Sequence, residues 1–220
     1  LTPTIRSATR DTITEATTSI TITAPSSIVD GDLLVVIIGL DGTSGNPTLS
    51  GFVRSVYNDA NACELAVFTK TALSESGNYT VNWTGSQSCV AQMYVYQDVD
   101  PTTPFEVDPA GVNAGASTTA TALGFTPTVA DAEIIACFAM DRNRITDDQA
   151  TGGTGSFTTD TLHEINNANG CACGMSDKTH TTGDTGTATH TLSTTDGWHG
   201  IQIAINPQPE GFPHSQGYIF

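Results

Sequence analysis

The run Leu33-Leu34-Val35-Val36-Ile37-Ile38-Gly39-Leu40 constrains this chain most. The chain enters it through Val29-Asp30-Gly31-Asp32 and leaves it through Asp41-Gly42, so turn residues flank a short apolar segment rich in Val and Ile. That pattern predicts a β-strand buried on both faces rather than a helix. A second run, Glu133-Ile134-Ile135-Ala136-Cys137-Phe138-Ala139-Met140, follows Val129-Ala130-Asp131-Ala132 and closes on Asp141, 100 residues further on. Both begin after an Asp-containing turn and end on Asp. The two strands are expected to centre two related half-units.

The rest of the chain agrees with an all-β reading. Ser19-Ile20-Thr21-Ile22-Thr23, Glu64 to Thr71, Tyr79 to Trp83 and Val90 to Tyr96 alternate apolar and polar residues or carry β-formers. Residues 1–27 read as two short strands, and 106–128 as one strand plus loops. In the second half, Cys171 to Thr181 matches the Lys70 strand, with Lys178 lying 108 residues beyond Lys70. Thr187 to Ser193 matches the Tyr79 strand, and Gly197 to Ile205 the Met93 strand. The expected fold is an all-β, jelly-roll-like antiparallel sandwich over residues 1–206, with half-units at about 18–105 and 118–206. A small sandwich in each half is the alternative arrangement. Residues 207–220, with three prolines, read as an extended C-terminal tail.

Charge narrows the partners. Twenty-three acids stand against seven bases, a formal net charge of −16. A chain without a basic stripe is not expected to bind nucleic acid or an anionic membrane directly. No signal peptide and no apolar run of membrane-spanning length is apparent, and the chain opens on Leu1. Five sparse cysteines, Cys63, Cys89, Cys137, Cys171 and Cys173, do not form a disulfide framework. Cys137 belongs to the buried run. Cys171 and Cys173 share a strand face, a poor geometry for bonding to each other, and a Cys63–Cys89 bridge remains open.

No catalytic motif emerges, and neither enzyme activity nor a cofactor is expected. Asp30/Asp32, Asp98/Asp100 and Asp147/Asp148 are paired acids whose expected duty is in turns. Residues 178–190 look like a hairpin that would set His180 opposite His190. With Cys171 or Cys173 these could ligate zinc, against a plainer reading as two solvated surface histidines. Trp83, Trp198, Tyr94 and Tyr96 offer either a sugar-stacking platform or core filling. In the tail, Phe212, Tyr218, Ile219 and Phe220 are the candidate partner contacts, docking on a neighbouring subunit or back on the chain's own sandwich.

Three stretches carry a resemblance: Asp30-Gly31-Asp32-Leu33-Leu34-Val35, Val67-Phe68-Thr69-Lys70-Thr71-Ala72, and Tyr94-Val95-Tyr96-Gln97-Asp98-Val99-Asp100-Pro101-Thr102-Thr103-Pro104. Across residues 28–206 the chain resembles a β-sandwich group scattered through tailed-phage genomes and bacterial prophages. Phe68-Thr69-Lys70 stands where that group has Tyr-x-Lys, Gln97-Asp98 replaces Arg-Gly, and the Trp that often follows the first loop is absent. The resemblance implies a non-enzymatic virion structural protein, most simply one that decorates or cements a capsid, with other virion proteins and further copies of itself as partners. A carbohydrate-binding module of a tail fibre or secreted protein, and a subunit of an extracellular filament, are the alternatives.

Overall fold

The structure, a computed structural model, describes residues 1–142, 151–152, 157, 159–160, 163–164 and 170–211. Among these residues every regular element is a β-strand, and the strands form two antiparallel sheets, as expected of an all-β sandwich. The first half contributes β1 (Thr4–Ile22), β2 (Leu33–Asp41), β3 (Thr48–Leu49), β4 (Val53–Asn58), β5 (Cys63–Thr71) and β6 (Tyr79–Gln97). The second contributes β7 (Phe105–Val107), β8 (Asn113–Ala122), β9 (Ala132–Asp141), β10 (Thr151–Gly152), β11 (Thr159–Asp160), β12 (His163–Glu164), β13 (Cys171–His180) and β14 (Ala188–Ile205).

The two sheets repeat one wiring. The first runs β1-β6-β2-β5-β4, with β3 also on β6. The second runs β14-β9-β13-β11, with β12 also on β13 and β7, β8 and β10 on β14. Thus β2 matches β9, β5 matches β13, β6 matches β14, and β7 with β8 stands for β1. The registers match as well. Leu34 pairs with Lys70 and Val95, and its counterpart Ile134 pairs with Lys178 and Ala204. The chain completes one sheet before starting the other, an order that lends no support to a jelly-roll path.

Both faces of β2 are covered, for different reasons. Leu33, Val35 and Ile37 face the second sheet and pack with Leu65, Val67, Tyr94, Ile135, Cys137 and Ile203. Leu34, Val36, Ile38 and Leu40 face outward and pack under Ile20, Ile22, Leu49, Val81 and Trp83. That cover comes from the far ends of β1 and β6, whose shared ribbon folds back over its own sheet. Its register slips between Ile13 and Thr17 and again before Ser19, and Gly85 takes a φ of 82° nearby. Such bulges bend a strand pair sharply. The returning segment is pinned where the Thr9 hydroxyl donates to the Thr23 carbonyl at 2.7 Å and Asp11 accepts the Thr23 N–H at 2.9 Å. One bent strand therefore replaces the two short strands expected in residues 1–27.

The second half does the same. The β8–β14 ribbon slips between Thr191 and Asp196, and Ala120, Ala122, Ala188 and Leu192 cover the outward Ala136, Phe138 and Met140. Each half is thus a small two-layer unit, and the two units share a central apolar seam. No apolar side chain from Leu33 to Leu40 is more than 1 % exposed. Each such burial contributes about 1.5–3 kcal/mol before the entropy of ordering is set against it.

At one end of the seam the sheets approach closely because small residues meet. A Cβ on Gly39 would lie 3.2 Å from the Ala172 carbonyl oxygen and 3.7 Å from the Ala139 Cβ. At Gly197 of β14 a Cβ would overlap the Asn61 carbonyl oxygen, which belongs to the loop between β4 and β5. His199, two residues on, donates Nε2–H to the Ala60 carbonyl of that loop and the Cys63 carbonyl at the start of β5, at 2.8 and 3.0 Å. Gly197→Ala is expected to cost about 3 kcal/mol through this backbone overlap. Thermal unfolding should then show a midpoint lower by roughly 6–12 °C in a chain of this length.

Candidate functional site

The strongest gathering of chemistry-bearing side chains lies where β2 and β9 end. Asp41 and Asp141 close the two repeated runs, and each carboxyl lies near enough to its neighbours to bear on their protonation. The Asp196 carboxyl, at the β14 bulge, accepts the Gly197 N–H at 3.0 Å. Arg142 lies 3.7 Å from Asp141 and 3.5 Å from Asp196. Burial raises the affinity of Asp141 for its proton, and the charge of Asp196 raises it further, while Arg142 opposes both. Burial likewise raises Asp41, against the pull of Arg142 and the hydrogen bond to Asp141.

Two thiols stand behind these acids in matched positions. Cys63 pairs with Asp41 and directs Sγ toward the Ala139 carbonyl. Cys171 pairs with Asp141 and directs Sγ toward the Gly39 carbonyl at 3.3 Å. Burial pushes both thiols well above the usual thiol range, and neighbouring acids add to it. They are poor nucleophiles as placed, since the thiolate is the reactive form. Burial also lowers the His199 ring, so it is neutral near pH 7 and serves the loop carbonyls as a donor.

The opposite end of the seam carries a second acidic pair. Glu133 begins the buried run of β9, and its Oε2 accepts from the Thr179 hydroxyl at 2.9 Å. Burial pushes Glu133 up to about 7, and the nearby Asp177 charge adds to the shift. The wholly buried Tyr96 faces both acids, and its phenol is driven far up by desolvation and by their charge.

Glu64 is the fully buried acid that sequence reasoning passed over. Its carboxylate accepts the Gly45 N–H at 2.5 Å, the Asn46 N–H at 3.2 Å, the Tyr57 hydroxyl at 3.1 Å and the Gln87 side-chain amide at 3.4 Å. It organises the loop after β2, which cannot otherwise satisfy its backbone donors in a buried setting. Its signal was faint, one acid in an otherwise apolar half of an alternating strand.

Residues singled out by sequence fall mostly into structural roles. Asp32 accepts the Val29 N–H and pairs with Arg6 at 2.9 Å, and Asp30 accepts the Ser74 N–H at 2.6 Å. Asp100 accepts the Thr102 and Thr103 N–H groups at 2.7 and 3.2 Å. These are turn duties. Asp147 and Asp148 lie outside the described residues, as do Phe212, Tyr218, Ile219 and Phe220.

The expected hairpin at 178–190 is corrected. β13 and β14 do not pair; both flank β9, so the connection crosses over that strand. His180 and His190 are buried rather than solvated. His180 meets the Gly183 carbonyl at 2.9 Å, and His190 packs edge-on against Phe138 at 4.8 Å between centroids. Cys171 and Cys173 do share the inward face. All five cysteines are free, and Cys89 packs on the outer face, away from Cys63. Trp83, Trp198, Tyr94 and Tyr96 are each at most 6 % exposed, so they fill cores and do not present a flat platform. Among the described residues no group of three or more His, Cys, Asp or Glu is disposed to hold a metal ion.

Comparison of this chain with protein-family models, with curated proteins and with solved structures gives no match. What these side chains do must therefore be read from their surroundings. Glu64→Ala strands several donors, and is expected to cost about 3 kcal/mol. In urea unfolding this appears as a lower midpoint at constant slope, and hydrogen exchange should quicken first at Gly45 and Asn46.

Proposed function

We propose that this chain is a non-enzymatic structural protein of a tailed-phage virion, one that decorates or cements a capsid. The observation that carries the reading is the fate of its reactive residues. His180, His190 and His199, the five thiols, and Trp83, Trp198, Tyr94 and Tyr96 are spent inside the two-layer halves or along the seam. The surface left over is rich in Thr, Ser and acids, suited to particles that must stay dispersed.

Three of the five exposed large apolar side chains of the described residues, Leu1, Val29 and Leu73, also favour attachment by one end. Val29 and Leu73 project from adjoining turns, joined where the Gly31 N–H donates to the Ala72 carbonyl at 2.9 Å. Leu1 lies close by in the fold, because Thr4 pairs with Gln97 at the end of β6 next to Leu33. The chain leaves from the same end, where Pro207 bridges to Val99 and the Gln208 N–H donates to the Asp98 carbonyl. Phe212, Tyr218, Ile219 and Phe220 follow that exit and remain the proposed partner contacts. The resemblance at residues 30–35, 67–72 and 94–104 points to the same setting. A carbohydrate-binding role loses its support with the burial of the four aromatics.

Gold-labelled antibody in electron micrographs of cells and particles producing the protein tests this. Label on capsids is expected, and removal of residues 212–220 is expected to abolish it while leaving the thermal midpoint unchanged. Label confined to filaments, or saturable binding on a glycan array with unlabelled particles, would replace the proposal with one of its rivals.

A further inference from the structure

We propose that two copies of this chain exchange halves, the first half of each closing the seam on the second half of the other, with residues 100–103 as the hinge. The half-units are consecutive in the chain. β1 to β6 complete one sheet before β7 to β14 build the next, and residues 98–104 are the covalent link between them. Each half also carries its own outer layer. What the first half lacks by itself is a cover for Leu33, Val35, Ile37, Leu65, Val67 and Tyr94. A second half supplies that cover, and the second half of another copy presents the same surface as its own.

The link is built so that little has to change. Its first part stays with β6. Val99 is buried in the seam core and bridges to Pro207, the Asp98 carbonyl accepts the Gln208 N–H at 2.9 Å, and the Asp100 N–H donates to the Asn206 carbonyl at 3.0 Å. These bonds join one half to the other, so an exchanged pair remakes them between copies. The last part of the link stays with the second half. There the Pro104 carbonyl accepts the Asn206 N–H at 2.9 Å, and the Thr103 carbonyl accepts from the Asn206 side-chain amide at 2.8 Å. Between the two parts Asp100 folds the chain back. Its carboxylate accepts the Thr102 and Thr103 N–H groups at 2.7 and 3.2 Å and the Thr103 hydroxyl at 3.1 Å. Pro101 and Pro104 favour an extended course in the residues before them. Opening that one turn straightens the link toward a neighbouring copy.

The seam is the same in both states, so its burial cancels between them. The Asp100 turn favours the single chain, and the concentration of a second copy favours exchange. Because the halves part only if the seam opens, the choice is made while the chain folds. The first half gathers its outer layer from its own strands, and its seam face then waits for whichever second half arrives first. The inference is independent of the capsid reading, since it concerns how copies join and not what they are carried on.

The experiment unfolds the full chain in urea, refolds it at low and at high concentration, and follows its mass by light scattering. A dimer fraction that rises with refolding concentration is expected. Asp100→Ala releases the turn in both copies and is expected to raise the dimer-to-monomer ratio about tenfold or more at a given concentration. A flexible Gly-Ser insertion between Thr102 and Thr103 should restore the monomer. Val99 and Pro207 are an antiparallel pair flanked by hydrogen bonds on either side, the close spacing that a disulfide spans. In the isolated dimer of the double variant Val99→Cys with Pro207→Cys, oxidation should tie one chain to the other. A covalent dimer then runs on a non-reducing gel, and peptide mapping of that band places the bond between positions 99 and 207. A bond at those positions within single chains marks a side-by-side dimer and overturns the proposal. So does a dimer that the insertion leaves unchanged. An unaltered chain that stays monomeric at every refolding concentration overturns it without any variant.

Discussion

The crossing of β2 over β9 is the contact on which the rest of the molecule depends. Each strand has no polar face to give to water, so each needs a layer on both sides. One layer is the other strand's sheet. The second has to come from within the same half, and the long ribbons β1–β6 and β8–β14 supply it by folding back. Their bulges near Thr17 and Thr191 are therefore a requirement of burying Val36 and Phe138 rather than local irregularities. The shape of the half-unit follows from the sequence of one strand.

Close packing then decides where polar groups can sit. With the seam and both outer cores filled largely by apolar side chains, buried acids and histidines among the described residues sit at strand ends and turns, and inside strands at Asp177 and His199. Glu64 holds the loop after β2, His199 ties the β4–β5 loop of the first half to β14 of the second, and Asp32 anchors the turn into β2 through Val29 and Arg6. Glu64 and Asp32 are bonded through both carboxylate oxygens and His199 through Nε2, which lowers the cost of burying them.

Much of the fold was legible in the residues. The two apolar runs, their spacing and the Lys70–Lys178 correspondence led to the right strand matches because alternation and turn chemistry are local signals. What escaped was non-local. Nothing near His180 or His190 states that β9 lies between their strands, so the segment imitates a hairpin. Nothing in residues 1–27 separates two short strands from one bent strand, since a bulge adds a residue without a distinctive composition. The seam acids were half visible. Asp41 and Asp141 could be seen to end their runs, but that they lie near each other depends on the crossing of the two strands.

The pattern of divergence between the halves points the same way. Positions at the crossing keep their type in both copies: Asp41 with Asp141, Cys63 with Cys171, and small Gly39 with small Ala139. Positions away from it have separated. Glu64 is matched by Ala172, and the two lysines have parted company, Lys70 joining Glu75 at 2.6 Å while Lys178 is buried over Phe157. Gly39 meets its own counterpart Ala139, whose Cβ would lie 3.7 Å from one added at Gly39, so a larger residue in either copy presses on the other. A residue in an outer layer meets only its own half and can be refitted there. The likeness is local to the closest approach of the two sheets; at the other end of the seam Leu33 stands where the second half has Glu133, and Thr69 where it has Asp177.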